Sequence, residues 1–114
     1  MRHDTATYLT DILEAGKLIQ QFTSGKTRVD YEQDVMLRAA IERQFTIIGE
    51  ALSQAVKRDS QLASHISGTR LIIDFRNRLI HGYTVIDHDV VWGVIVDDLP
   101  RLITEVRALL TPSS

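Results

Sequence analysis

The stretch LRAAIERQFTIIGEALSQAV, residues 37–56, decides the fold class. Leu37, Ile41, Phe45, Ile48, Leu52 and Val56 recur at three- or four-residue intervals and so line one face of an α-helix. No strand-like alternation competes with that stripe. Just upstream, Asp30 precedes Gln33 by three positions, a capping-box-like start that sets the predicted helix at Asp30 to about Val56.

Working outward, Leu9, Ile12, Leu13, Gly16, Ile19 and Phe22 keep the same spacing and predict a helix from Asp4 to Phe22, ending toward the turn-forming TSGKTR. Residues 57–68 read as polar and irregular. Gly68 and Thr69 then mark a restart, and a third helix is expected from Arg70 to about His81, closed by Gly82. A fourth begins near Asp87, whose side chain suits a cap, and carries a near-heptad seam of Trp92, Ile95, Leu99, Leu102, Val106 and Leu109. Pro100 lies inside that seam; its missing N–H and its ring predict a kink. The tail, residues 111–114, is expected to fray. These elements describe an all-α, up-down four-helix bundle with a kinked last helix, in a single domain spanning residues 1–114.

Composition narrows the function. The chain has 114 residues, 44% hydrophobic and 25% charged, enough for one core and no second domain. It has no cysteine, so disulfides and thiolate chemistry are excluded, and a cytoplasmic location is the expectation. The longest apolar run, Val90 to Val96, is far too short to span a membrane, and the start MRHDTATY does not read as a signal peptide. A formal net charge of −2 argues against an extended, sequence-independent nucleic-acid surface. Any RNA contact would be local, around Arg70, Arg76 and Arg78.

The third helix has more apolar surface than one core can use. At 100° per residue, Leu71, Phe75, Leu79, Ile72, Ile80 and Ile73 cover an arc of about 200°. Arg76 falls inside that arc, whereas Asp74, Asn77 and Arg78 take the polar side. Two readings stay open. The arc serves both core and a partner surface, or Arg76 is a structural cation whose head reaches a buried acid, with Glu50 in IIGEA the most attractive candidate. His81 sits in the last turn, where a helix C-terminus favours a charged imidazole, which suits proton transfer; a plain helix-terminating role is the alternative. His3, His65, His81 and His88 show no metal-ligand grouping, so no metal and no cofactor is expected. Asp74 and Arg78 read as a surface pair, and Tyr83 as an exposed residue or a staple for the loop.

Arg76, Asn77, His81 and Tyr83 together read R-N-x-x-x-H-x-Y. This resembles the signature of the HEPN superfamily, and specifically of the HepT-like toxins of prokaryotic toxin–antitoxin pairs. IERQFTIIGEA, residues 41–51, is similar to that family's second-helix segment, and Leu99–Pro100 to its last helix. The resemblance implies a homodimer whose third helices face each other across a cleft lined by both Arg76–His81 pairs, acting as a metal-independent endoribonuclease on RNA, with tRNA the expected substrate. Asn77 would support the site. It further implies a minimal (MntA-like) nucleotidyltransferase antitoxin that transfers AMP to Tyr83. A catalytically silent HEPN scaffold or substrate subunit for such a transferase is the alternative.

Overall fold

A computed structural model describes residues 3–81 and 86–111 of the chain. Its described residues form an all-α bundle of α1 (His3–Thr23), α2 (Arg28–Gln33), α3 (Val35–Arg58), α4 (Leu62–His65), α5 (Thr69–Ile80) and α6 (His88–Gly93), which runs through a π-helical stretch, Val94–Asp98, into α7 (Leu99–Leu110). The body measures 44 × 30 × 19 Å. Helix α1 packs on α3 and α7, α3 packs on α5 as well, and α2 lies against α6. The stripes read from the sequence meet inside: Leu9, Ile12 and Ile19 of α1, Ile41, Phe45, Ile48 and Leu52 of α3, Ile72 and Phe75 of α5, and Leu99, Leu102 and Val106 of α7 are all buried. Among the described residues no helix is long and apolar enough to cross a membrane.

Two local expectations are corrected and a third is met. The helix predicted from Asp30 is two helices, because Thr27 takes the cap position instead. The Thr27 side chain accepts from the Asp30 N–H at 3.1 Å, and the Asp30 carboxylate accepts from the Thr27 N–H at 2.9 Å. The bond from the Thr27 N–H, helped by the Thr27 hydroxyl nearby, holds the Asp30 carboxyl below its ordinary range. Asp34 then leaves helical geometry (φ −108°, ψ 99°), and its side chain caps α3 by accepting from the Leu37 N–H at 3.0 Å. An aspartate offers the backbone this alternative to a continuing helix. Tertiary packing pulls the same way, since Tyr31 of α2 is fully buried against His88 and Trp92 of α6, with ring centroids 5.8 and 6.0 Å apart.

The irregular stretch at 57–68 holds one helical turn, α4, pinned by the buried Leu62. The kink that Pro100 predicts for the last helix is present, and it takes the form of a π-helical stretch in the turn before the proline. Within Val94–Asp98 the bonding widens, and the Leu99 N–H donates to the Val94 carbonyl five residues back. Pro100 cannot donate to its own helical partner, and its ring crowds the preceding turn; a π-turn there relieves both. Asp87 caps the start of α6 by accepting from the Asp89 N–H at 2.8 Å.

Candidate functional site

Helices α3 and α5 approach so closely that one position has room for no side chain. A Cβ built on Gly49 would lie 2.2 Å from the Arg76 Cβ and 2.5 Å from its Cγ. Glycine in a helix interior costs about 1 kcal/mol relative to alanine, and here it lets the arginine stem lie flat against α3. Next to Arg76 on α5 and one turn from Gly49 on α3, the Phe75 and Phe45 rings meet edge to face at 5.1 Å and fix the two helices together.

Gly49 was not singled out by sequence reasoning. The signal was present, since a glycine inside an otherwise strong helical stripe implies a packing reason. Gly49→Ala should destabilise the fold by about 1–3 kcal/mol, because the clash is with the root of a side chain and outweighs the gain in helix propensity. A denaturant titration checks it; a more stable variant would refute the close approach.

Arg76 is thus positioned at its stem, and its head is held on two sides. Nη2 donates to Glu50 Oε1 at 2.7 Å, and Nη1 donates to Asn77 Oδ1 at 2.9 Å. The Arg76 side chain is 22% exposed and that of Glu50 54%. Such a half-solvated pair is worth about 0–1 kcal/mol, so it orients the guanidinium more than it stabilises the fold. The Arg76 Nε is buried with no hydrogen-bond partner among the described residues. A guanidinium offers five donors, and two are spoken for in these contacts.

His81 is the exposed C-cap of α5, in right-handed helical geometry, with its N–H donating to the Asn77 carbonyl at 3.3 Å. Asn77 therefore touches both neighbours, Arg76 through its side chain and His81 through its backbone. Five positions separate Arg76 from His81, which sets their Cα atoms about 7.5 Å apart along the axis and about 140° around it. Ile80, 45% exposed, lies between them on that sector, and Leu71, 48% exposed, marks the opposite edge of the apolar arc. Gly82 and Tyr83 lie outside the described residues. Among the described residues no three His, Asp or Glu side chains cluster as metal ligands do.

Comparison with known proteins adds an independent observation. A family model described as ribonuclease HepT-like matches residues 12–109. A protein of Methanocaldococcus jannaschii named as a gamma-glutamylcyclotransferase and candidate RNase is 32% identical over 96% of this chain, and the chain spans about half of its length (49%). A second M. jannaschii protein, named as a candidate RNase, is 30% identical over 93% of this chain and 96% of its own. A protein of Thermococcus cleftensis named as a probable ribonuclease HepT is 33% identical over 90% of this chain and 92% of its own. No solved structure matches the chain.

Proposed function

Because the chain belongs to the ribonuclease HepT-like family, we propose that it is a metal-independent endoribonuclease, the toxin of a prokaryotic toxin–antitoxin pair, with tRNA as its substrate. The observation that carries this reading is Arg76, a half-buried cation seated against Gly49 with donors to spare, on the helix that ends in His81. Two copies facing each other along α5 would bring two arginines and two histidines to one cleft. One imidazole takes the proton of a ribose 2′-OH as that oxygen attacks the adjacent phosphorus; a second protonates the departing 5′-oxygen. The products are a 2′,3′-cyclic phosphate and a 5′-hydroxyl. The Arg76 fork donates to the phosphorane oxygens, whose charge grows in the transition state. Asn77 and Glu50 hold that fork in place.

Neutralisation is the work of a minimal nucleotidyltransferase antitoxin acting on Tyr83. The phenol oxygen attacks the α-phosphorus of ATP, pyrophosphate leaves, the phenolic proton is lost, and AMP stays on the tyrosine. Two residues from His81 in sequence, that adduct adds bulk and a negative phosphate to the cleft, which opposes RNA by exclusion and by charge. A second reading, a silent scaffold for the transferase, is favoured by the Glu50–Arg76 pair, which occupies part of the guanidinium.

Incubating the purified chain with total tRNA in EDTA separates the two. Fragments ending in 2′,3′-cyclic phosphate are the expected result; intact tRNA at high protein concentration would favour the scaffold. Mass spectrometry after co-expression with a transferase should find AMP on Tyr83, and a Tyr83→Phe protein should escape neutralisation.

A further inference from the structure

Beside the Arg76 head, a cleft of about 460 Å³ opens between α1 and α3, lined by Tyr8, Asp11, Glu50, Gln54, Lys57 and Arg76 among others. Small-molecule sites occupy a few hundred to a thousand cubic ångströms, so the size suits one nucleotide-sized group. The charges do not suit a free anion. Two carboxylates and two cations share the wall, and a phosphate placed among them meets as much repulsion as attraction. A neutral, planar group with both donors and acceptors fits better.

Tyr8 supplies a ring for such a group to lie against. Arg58, which does not line the cleft, lies 5.1 Å from the Tyr8 ring centroid and is itself fixed by Asp4 at 2.9 Å and by Gln54 Oε1 at 2.7 Å. A held cation therefore lies against the ring, and an aromatic ring is a favourable stacking partner for a base. The same contact turns the Gln54 carbonyl to Arg58 and leaves its amide NH₂ as a donor. When ionised, Asp11 and Glu50 offer acceptors and no donor, and they are what would meet the amino edge of a base.

We propose that this cleft seats one unpaired nucleobase bearing an exocyclic amino group, next to the phosphate held by Arg76, and thereby biases which nucleotide is cut. The substrate class rests on the ribonuclease reading above. Cytosine and uracil form the cleanest comparison, because at position 4 cytosine presents an amino donor and uracil an acceptor.

Fluorescence anisotropy with short oligocytidylate and oligouridylate probes, on His81→Ala protein so that no cleavage intervenes, tests it. Oligocytidylate should bind about tenfold more tightly, the ratio expected for one good base-edge contact. Tyr8→Leu should weaken both probes about tenfold and Tyr8→Phe neither, since stacking needs only the ring. Asp11 is exposed, so Asp11→Asn should leave the fold intact and narrow the cytosine preference. Equal affinity for both probes, no RNA binding at all, or full affinity in Tyr8→Leu would overturn the subsite. Cleavage by the unaltered chain is scored separately: a cytosine preference without cleavage removes the nuclease and keeps the subsite, and cleavage without preference does the reverse.

Discussion

Replacing His81 by alanine should lower RNA cleavage by a factor on the order of 10²–10⁴, the usual cost of losing a positioned general acid or base. Alanine retains the backbone N–H through which His81 caps α5, so that cap should survive the substitution. Arg76→Ala should cost activity on the same scale through loss of phosphorane stabilisation. That variant also forfeits the packing of the arginine stem against Gly49, so some destabilisation accompanies it. Arg76→Lys separates the two effects. Lysine keeps the stem and the charge opposite Glu50 but lacks the planar fork, so the fold should be retained while cleavage stays low. If the pair with Glu50 were the whole purpose of Arg76, Arg76→Lys would be active and Glu50→Gln would cost stability without touching the cleavage rate. Initial rates on tRNA, read beside a denaturant midpoint for each variant, decide between these outcomes.

What could be read in advance follows from which interactions are local. The stripes of α1, α3, α5 and α7 are spaced by helix geometry alone, so their existence and inward faces follow from pattern; the centres of the stripes are buried, whereas Leu71 and Ile80 at the edges of the α5 arc stay exposed. Glu50 stands off the α3 stripe and is exposed; it reaches the Arg76 head because it follows Gly49, the point where α3 and α5 approach most closely. The break at Asp34 could not be read that way. It depends on a side-chain cap that competes with helix continuation and on a burial of Tyr31 under α6, some 60 residues away in the chain, that no local pattern shows. The π-turn was half legible, since Pro100 announces trouble but not which neighbouring turn absorbs it. Gly49 is the instructive omission. Its neighbours mark it as helix interior, where glycine is a cost, and the compensating benefit is a contact with a residue 27 positions on. Asn77 reads from the sequence as a supporting residue, but its side-chain contact with Arg76 does not, because helical periodicity sets it about 100° from Arg76, whereas a flexible arginine head returns to it. The Tyr8 cleft had no signature in any single segment, being assembled from α1, α3 and α5.

Ile80→Glu should convert the protein to a monomer and abolish cleavage with it. Counting from Ile72 at zero, Arg76 stands at about 40°, Ile80 at about 80°, Asn77 at about 140° and His81 at about 180° on α5. An apolar side chain, 45% exposed, thus lies between the two proposed catalytic groups, and a second copy packed on that sector would bury it beside both. A two-fold axis would also place the sector against its own copy, so each substitution introduces two carboxylates into one seam. An uncompensated buried charge costs about 3–5 kcal/mol, which moves a dissociation constant by a factor on the order of 10³. Leu71→Glu is the matched control. Leu71 is equally exposed but lies at the other edge of the arc, on a cleft of about 370 Å³ shared with Val90 and Val94, and its charge variant should stay dimeric and active. Ile73, the other residue of the arc near that seam, is half-buried against the core and makes a poorer probe, because its charge variant threatens the fold itself. Sedimentation at micromolar concentration, with cleavage assayed on the same samples, reads both variants. A dimeric, active Ile80→Glu protein would move the seam off this sector of α5 and with it the geometry that brings two histidines to one phosphate.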